Sequence, residues 1–393
     1  MFAVMHSFNK PSSLIVTCSK RLSPFLEMEI KALGFKIKDV FSTGVRLNGT
    51  LDDCIRLNLN LRCASQVLYS LKRFSCNNAD DLYREVSGIQ WENIIDKNGY
   101  FSITSHVEDD TINNSLYANV KVKDAIADRF REKFNQRPDS GPRLDKTVVN
   151  LFWKNKEAEI FLDTSGETLS KHGYRKIPGS APMLESLAAA TILAGNWDRE
   201  SPFINPMCGS GTVAIEAAMI ATGRMPGLFR ENYGFMHILG FETSFFLDQK
   251  QQLLNEITSP NNLQIIATDI SEDAVNISRI NAGAAGVEGL IQFEVCDFAE
   301  TSIPPDQAGV IFFNPEYGER LGEEYALEET YSRIGDFMKK KCRGYTGYVF
   351  TGNFHLAKKI GLKAKRKIEF YTGKIDCRLM EYELYSGSRK IEK

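Results

Sequence analysis

The sequence has no Cys-x-x-Cys pair, no apolar run long enough to cross a membrane and no large excess of charge of one sign. Its eight cysteines and five histidines are scattered, so we expect neither a disulfide framework nor a bound metal. A membrane-spanning helix needs about 20 apolar residues, and no basic segment with an apolar stretch behind it stands at the N-terminus. These absences favour a cytoplasmic protein with reduced thiols and without a membrane anchor.

The overall composition is that of an ordinary globular protein. With 393 residues, 43% hydrophobic and 25% charged, the chain is long enough for two or three domains. The net charge of −2 does not indicate a nucleic-acid-binding protein. Two stretches are locally basic: residues 121–146 contain eight Lys and Arg against five Asp and Glu, and residues 358–367 contain six and none. A solvated helix face is the ordinary explanation of such stretches.

The first 166 residues show two successive mixtures of helix and strand. Residues 1–76 alternate strands and helices in an order that suits a small α+β sandwich, with a helix that ends at Gly34. Residues 77–166 show helix, strand, helix and then two strands. These last strands are joined by Lys154-Asn155-Lys156-Glu157, which predicts a hairpin.

After residue 166 the pattern changes to regular alternation of strand and helix. Residues 180–195 are rich in alanine and predict a helix. Apolar runs follow at 203–204, 265–268, 291–295, 310–313 and 347–351. Alternation on this scale predicts an α/β domain with a parallel, doubly wound sheet. Because such sheets bind ligands at the carboxyl ends of their strands, the residues that follow each run are the candidates for a site.

The first of these runs ends in a glycine-containing turn that leads directly into a predicted helix. The turn consists of Asn205, Pro206, Met207, Cys208, Gly209, Ser210, Gly211 and Thr212. Glycines here let the backbone approach a ligand closely, and the first N–H groups of the helix are unpaired. The turn therefore predicts a ligand site, although Gly209-x-Gly211 also fits a dinucleotide-binding turn.

The acid after the second run argues against NAD. A dinucleotide-binding fold has its acid about 20 residues after the glycines, whereas Asp269 follows Gly211 by 58 positions. A carboxylate at this strand end can accept hydrogen bonds from both hydroxyls of a ribose. Asp297, after the third run, suits an adenine amino group. The alternative is that both acids act only as helix N-caps.

The fourth run ends in Asn314-Pro315-Glu316-Tyr317. The side-chain oxygen of Asn314 and the carbonyl of Pro315 can both accept hydrogen bonds from an exocyclic NH2 group. Tyr317 can stack on the base that carries it. These residues are therefore the candidate catalytic residues of an enzyme that methylates the amino nitrogen of a base, and a plain Asn-Pro turn is the structural alternative.

Eight segments of the chain, which include the glycine turn and the Asn314–Tyr317 segment, match the pattern of one protein family. They are residues 110–115, 121–126, 162–166, 172–175, 181–190, 205–216, 314–321 and 376–377. Together they resemble the THUMP-containing guanine-N2 RNA methyltransferases, in particular the bacterial members that modify large-subunit ribosomal RNA. The resemblance extends over nearly the whole chain.

The resemblance implies three domains and a reaction. These are a ferredoxin-like domain at 1–76, a THUMP RNA-binding domain at 77–166 and a Rossmann-like methyltransferase domain at 167–393. It implies S-adenosylmethionine as the methyl donor, guanine N2 as the acceptor and ribosomal RNA as the partner. It extends the cofactor-binding residues to Pro182, Glu185, Ile270 and Phe298.

Two positions depart from the family pattern, which usually has Asp in place of Asn205 and Pro in place of Glu316. The first change removes an acid from the glycine turn, and the second puts a carboxylate beside the expected base. One set of motifs predicts methylation of one position. The alternatives are a transfer RNA guanine-N2 methyltransferase and an RNA-binding assembly factor that has lost turnover.

Overall fold

The computed structural model describes residues 8–109, 114–179, 182–260, 262–305, 307–317 and 323–385. These residues form two compact units. The first contains the described residues up to Ser19 together with Leu26–Leu169 and Pro226–Leu253. The second contains Lys20–Phe25, Ser170–Met225 and the described residues from Leu254 onward. Each unit therefore includes a segment that is distant in sequence from its main part.

Strands and helices alternate along most of the chain. The strands are β1 (Ser12–Thr17), β2 (Ile37–Phe41), β3 (Gly44–Gly49), β4 (Gln66–Ser75), β5 (Tyr100–Glu108), β6 (Asp139–Ser140), β7 (Thr147–Lys154), β8 (Glu157–Asp163), β9 (Phe203–Pro206), β10 (Ile265–Asp269), β11 (Ile291–Val295), β12 (Val310–Phe313), β13 (Thr346–Thr351), β14 (Arg366–Thr372) and β15 (Ile375–Glu383). The α-helices are α1 (Ser23–Ala32), α2 (Leu51–Asn60), α3 (Ala79–Ser87), α4 (Ser115–Phe134), α5 (Glu185–Ala194), α6 (Thr212–Ala221), α7 (Thr243–Asn255), α8 (Glu272–Ala284), α9 (Glu323–Lys341) and α10 (Phe354–Lys359). Among the described residues, no helix combines the length and the apolar character needed to cross a bilayer.

The first unit is built on one sheet of eight strands in the order β2-β3-β1-β4-β8-β7-β5-β6. Strand β4 pairs antiparallel with β1 on one side and with β8 on the other. It therefore joins the predicted N-terminal domain to the predicted RNA-binding domain in one hydrogen-bonded sheet. The sequence pattern does not predict this strand, because its second half carries Lys72 and Arg73 in place of a regular apolar alternation.

The local predictions for this unit agree with the structure at most elements. The hairpin between β7 and β8 is confirmed, and Asn155 and Lys156 both have positive φ, as a two-residue turn between twisted strands requires. Gly34, at a φ of +85°, follows the end of α1. Helix α4 begins at Ser115, where the Asn114 side chain accepts a hydrogen bond from Leu116 N and caps the first turn.

The second unit contains a sheet of seven strands in the order β11-β10-β9-β12-β13-β15-β14. Strands β9 to β13 are parallel, as predicted, whereas β15 runs antiparallel to β13 and pairs with β14 in an unpredicted hairpin. The strand order reverses at β9, which has β10 on one side and β12 on the other. Ligands bind at such a switch point, outside the carboxyl ends of the strands.

The core of this unit explains why the parallel strands were recognisable. All four residues of β9 and all four of β12 are buried, as expected for strands covered on both faces. Helix α5 begins at Glu185 after the extended residue Leu184, so the helix predicted for 180–195 is shorter at its start. Ser180 and Ala181 lie outside the described residues.

Candidate active site

The turn between β9 and α6 has the backbone geometry that its glycines permit. Gly209 and Gly211 have φ values of +56° and +80°, and Met207 adopts a φ of +56° although it has a side chain. A Cβ on Gly211 would lie 2.9 Å from Cβ of Ser278, whereas one on Gly209 would meet no atom within 4 Å. Gly211 thus packs against α8, and Gly209 faces open space. The turn therefore has one exposed position without a side chain, at Gly209.

Asn205 links the glycine turn to the neighbouring strand β12. Its Nδ2 donates a hydrogen bond of 2.9 Å to the carbonyl of Phe312. Its side chain is 1% exposed, and its Oδ1 is a buried acceptor without a hydrogen-bond partner among the described residues. An aspartate could not donate to that carbonyl, so asparagine suits this arrangement. The unpaired Oδ1 is an orphaned acceptor at the base of the turn.

Asp269, at the end of β10, holds the glycine turn directly. Its Oδ2 accepts a hydrogen bond of 3.0 Å from Gly209 N, and its Oδ1 accepts one of 3.0 Å from Ser271 N. Ile270, which follows it, is 74% exposed. The structure therefore brings three sequence-predicted residues together: a carboxylate, a glycine and a largely exposed apolar side chain.

Asp297 and Phe298 are engaged in contacts within the unit. Both carboxylate oxygens of Asp297 accept hydrogen bonds of 2.8 Å from Arg333, and Oδ1 also accepts one from Ala299 N. The hydrogen bond from Arg333 holds the pKa of Asp297 below its usual range. The ring of Phe298 is buried, with the Arg333 guanidinium 4.8 Å from its centroid. Nothing in the sequence pointed to Arg333, which lies on α9, 36 residues away from Asp297.

Asn314 to Tyr317 follow β12 directly, beside the glycine turn at the same edge of the sheet. Within the described residues, the Asn314 side chain makes no hydrogen bond. Two side chains from other elements hydrogen-bond to the backbone of this loop. The Tyr331 hydroxyl donates a hydrogen bond to Glu316 O at 3.2 Å, and Asn353 Nδ2 donates one to Tyr317 O at 3.4 Å. The Glu316 side chain is exposed. Residues 318–321 of the predicted motif lie outside the described residues.

A buried polar cluster lies behind the turn and includes the predicted residue Glu185. His172 Nδ1 and Glu216 Oε1 are 2.7 Å apart, and both side chains are fully buried. Arg175 donates hydrogen bonds to Met183 O at 2.6 Å and to Thr212 Oγ1 at 2.9 Å, and lies 3.4 Å from Glu185. Burial raises the pKa of the Glu185 carboxyl.

Asn281, on α8, ties the segment before α5 to the glycine turn. Its Oδ1 accepts hydrogen bonds from Lys176 N and Ile177 N, at 2.9 and 3.1 Å. Its Nδ2 donates to Ile177 O at 3.0 Å and to Ser210 O at 3.2 Å. Asn281 was not among the residues predicted from the sequence, because an asparagine within a helix carries no signal of the loops that it contacts. Pro182 lies in the stretch just ahead of α5.

Comparisons with known families match the chain in three successive parts. Residues 13–68 match the RlmL ferredoxin-like domain, residues 76–163 the THUMP domain, and residues 172–381 the RMKL-like methyltransferase domain. The expected fold, with ferredoxin-like and THUMP domains ahead of an S-adenosylmethionine-dependent methyltransferase domain, is confirmed. The exact boundaries at 76 and 166 remain predictions.

Two curated proteins named ribosomal RNA large subunit methyltransferase K/L are similar to nearly all of the chain. The protein from Syntrophotalea carbinolica is 34% identical over 95% of this chain and 54% of its own length. The protein from Psychromonas ingrahamii is 36% identical over 97% of this chain and 51% of its own length. The chain therefore spans about half the length of the curated relatives that it matches.

Two solved structures are similar over the same extent. The methyltransferase SMU.472, solved in complex with SAH, is 25% identical with a TM-score of 0.87, over 96% of this chain and 100% of that one. A Listeria monocytogenes protein, described as a predicted N6-adenine-specific DNA methylase, is 30% identical with a TM-score of 0.86, over 95% and 97%. Both likenesses include the two compact units.

Proposed function

The chain belongs to the RMKL-like methyltransferase family, and on that premise we propose that it transfers a methyl group from S-adenosylmethionine to the N2 amine of a guanine in large-subunit ribosomal RNA. The observation that carries the proposal is the juxtaposition at the switch point of the sheet. The glycine turn after β9 and the Asn314–Tyr317 loop after β12 are neighbours there, and Asn205 of the turn donates a hydrogen bond to Phe312 O, two residues before Asn314. A donor and an acceptor bound at these two loops would meet at one edge of the sheet.

The residues of the glycine turn fit the proposed methyl donor. The orphaned Oδ1 of Asn205 is an acceptor for an ammonium group, and Gly209 leaves room for a ligand against the backbone. Asp269 retains lone pairs for ribose hydroxyls beyond its contacts with Gly209 and Ser271. The exposed side chain of Ile270 offers an apolar surface for a purine ring. When bound, S-adenosylmethionine supplies an electrophilic methyl group on a sulfonium.

Contacts outside the turn define narrower roles for the remaining candidates. The Asp297 carboxylate is shared with Arg333, so an adenine amino group would bind as an additional partner. Because the Phe298 ring is buried, we propose that Phe298 contacts the donor through its main chain. Glu185 and Pro182 act by shaping the segment that Arg175 and Asn281 fasten to the turn.

The acceptor loop contributes mainly orientation. A guanine amine is a weak nucleophile because its lone pair is delocalised into the ring. Asn314 Oδ1 and the Pro315 carbonyl would accept hydrogen bonds from its two N–H groups. This would turn the lone pair toward the methyl group, which favours in-line transfer. Tyr317 would stack on a base that has left its helix or loop. After the transfer, the methylated amine would lose one proton to solvent.

RNA recognition is proposed for residues 1–166, which hold the ferredoxin-like and THUMP domains. THUMP is a module of RNA-modifying enzymes in the family that the sequence resembles, and shape and phosphate contacts carry most recognition of structured RNA. The substrate assignment follows the names of the two curated relatives and remains a proposal, because the chain spans about half of their length.

The test is methyl transfer to defined RNAs in vitro. The purified chain would be incubated with labelled S-adenosylmethionine and either transcribed large-subunit ribosomal RNA or transfer RNA, and the products digested to nucleosides for mass spectrometry. We expect N2-methylguanosine from ribosomal RNA alone. N6-methyladenosine would overturn the acceptor assignment, and product from transfer RNA alone would overturn the substrate. Tight donor binding without any product would favour the assembly factor.

A further inference from the structure

The two basic stretches of the sequence differ in how their charges are used. In the first, residues 121–146, most cations pair with a carboxylate of the same unit. Arg129 and Lys133 both contact Glu92, at 2.7 and 2.5 Å, and the hydrogen bond from Arg129 lowers the pKa of Glu92 to about 2. The other pairs are Lys121–Asp80, Lys123–Asp124, Arg131–Asp128 and Arg143–Asp145. These charges mainly fasten α4 and its surroundings.

In the second stretch, residues 358–367, half of the cations have no such partner. Lys359 pairs with Glu328, Lys365 with Glu383 and Arg366 with Glu381. Lys358, Lys363 and Lys367 are exposed, and no carboxylate of the described residues forms an ion pair with them. The same holds for Lys339 and Lys341 in the last turn of α9 and for Arg343 just after it. Within the part of the chain that the structure describes, six cations are therefore without a carboxylate partner.

Five of these six cations, all but Lys341, line two adjoining grooves of the second unit. One groove, of about 500 Å³, is lined by Phe354, Lys358, Lys363, Lys367 and Arg378 above Met380 and Tyr382. The next, of about 650 Å³, includes Lys339, Arg343, Lys363 and Tyr385, and shares Leu362 to Ala364 with the first. Glu383 is the carboxylate among the described lining residues, and it already pairs with Lys365. We call the two together the basic groove.

Aromatic side chains are exposed at both ends of the basic groove. Phe354 is 43% exposed, and the Arg378 guanidinium lies 5.0 Å from its ring centroid. Tyr385 is 49% exposed. A groove that combines cations with exposed rings is typical of surfaces that bind single-stranded nucleic acid, since phosphates contact the cations and bases stack on the rings.

The basic groove begins beside the proposed acceptor loop. Asn353, which caps α10, donates its hydrogen bond to Tyr317 O, and Phe354 follows it. Arg378 lies opposite Thr351, at the carboxyl end of β13, and Tyr382 lies opposite Gly347, near its other end. The groove thus leads away from the acceptor edge along β15 for about 13 Å, at roughly 3.3 Å per residue.

We propose that the basic groove binds the RNA backbone next to the methylated nucleotide, and that it is a second RNA-binding surface, on the methyltransferase unit itself. The inference rests on the proposed function for the identity of the polymer. The free cations would contact two or three phosphates of a single strand that leaves the acceptor loop, and Phe354 would stack on an adjacent base. The ion-paired stretch at 121–146 has fewer free charges for this role.

The experiment compares a triple variant and a double control variant of the full chain. K358Q/K363Q/K367Q removes three free cations, and K340Q/K359Q removes two lysines of the same unit that already pair with Asp336 and Glu328 and that do not line the groove. Affinity for a large-subunit ribosomal RNA fragment would be measured by fluorescence anisotropy across a series of KCl concentrations. We expect the slope of log affinity against log salt to fall by about 2 to 3 in the first variant, since each phosphate contact contributes roughly 0.7–0.9. The control variant should keep the wild-type slope.

Two further measurements separate this inference from the proposed function. S-adenosylmethionine affinity and thermal midpoint should be unchanged in both variants, which establishes that the site and the fold are intact. An unchanged slope in the first variant, or an equal loss in the control, would overturn the basic groove as an RNA surface. The proposal would also be overturned if the first variant lost binding to phosphatidylserine vesicles but retained its binding to RNA. If instead the wild-type chain binds RNA with the expected slope but makes no methylated guanosine, the proposed function fails while the RNA surface stands.

Discussion

The acceptor loop is where a single residue should separate catalysis from binding. Asn314→Ala removes the side-chain oxygen that we propose orients the amine, and Asn314 makes no hydrogen bond within the described structure that its loss would break. We expect turnover to fall about 100-fold or more, because positioning hydrogen bonds commonly contribute that much. The affinity for S-adenosylmethionine, measured by calorimetry, should not change. Methylation at the wild-type rate would mean that this loop is a plain turn.

Asp269 should affect the donor instead of the acceptor. Asp269→Ala removes an acceptor for the ribose and also the contact that holds Gly209 N. We expect S-adenosylmethionine to bind about 10- to 100-fold more weakly, the equivalent of roughly 1.5–3 kcal/mol. Asp273→Ala, an exposed acid in the first turn of α8, is the matched control and should bind normally. Equal calorimetric affinities for the two variants would refute the assignment.

Asp163, in the first unit, should make stability depend on pH. Burial raises the pKa of its carboxyl to about 7, although Ser165 N and Gln66 Nε2 donate hydrogen bonds to it. The unfolded carboxyl titrates near 3.9, so between about pH 4 and 7 the folded chain binds the extra proton. The contribution of Asp163 to the free energy of unfolding is therefore fully present below about pH 4. It is lost as the pH rises to 7, by up to about 1.4 kcal/mol per pH unit.

Asp163→Asn should remove this dependence, because an amide does not titrate. Urea unfolding of both proteins at pH 5 and pH 8 should show a larger loss of stability in the wild type as the pH rises. Other titrating groups are common to both proteins and cancel in the comparison. Parallel behaviour of the two would contradict a raised pKa.

At the scale of elements, the segment Pro226–Leu253 belongs to the first unit although the second unit surrounds it in sequence. Its aromatic rings pack on one another: Phe235 lies 4.9 Å from Tyr233 and 5.6 Å from Phe241, between ring centroids. Gly234 N–Cα packs so closely on β8 that an added Cβ would lie 2.3 Å from the carbonyl oxygen of Asp163. The segment is therefore fixed by backbone contact as well as by aromatic burial.

Gly234→Ala should consequently destabilise the first unit. Overpacking commonly costs about 1–3 kcal/mol, and here the obstructing atom is backbone, which cannot move aside as a side chain can. Gly289→Ala is the matched control, because its Cβ would meet no atom within 4 Å. Hydrogen exchange should increase in β7 and β8 of the Gly234 variant and stay at the wild-type level in the control. Unchanged protection in β8 would show that the close packing is not as described.

At the scale of the whole molecule, the two ligands should respond differently to salt. RNA affinity of the full chain should fall steeply between 50 and 200 mM KCl, on the order of tenfold or more, because phosphate contacts release counterions. S-adenosylmethionine affinity should change little, since its proposed contacts are short hydrogen bonds and apolar burial. Titrations of both ligands at the two salt concentrations check this. An RNA affinity that does not change with salt concentration would argue against recognition through the RNA phosphate backbone.

The sequence predicted the parts of the molecule whose signals are local. Continuous apolar runs mark β9 and β12 because strands of a parallel sheet are buried on both faces. The turn residues Gly209 and Gly211 were recognisable because positive φ values favour glycine. The domain order and the family likewise followed from motifs that are contiguous in sequence. The residues that line the proposed site could be named for the same reason.

The tertiary structure decided what depends on residues that are distant in sequence. Arg333 on Asp297, Asn281 on Ser210 and Asn353 on Tyr317 are side chains that leave no periodic or spacing signal, because each is defined only by the loop that it reaches. The two basic stretches looked alike as sequence. Folding brings Glu92 and other carboxylates to the first, since an ion pair depends on which elements pack together. Lys358, Lys363 and Lys367 of the second line a groove, and no carboxylate of the described residues pairs with them.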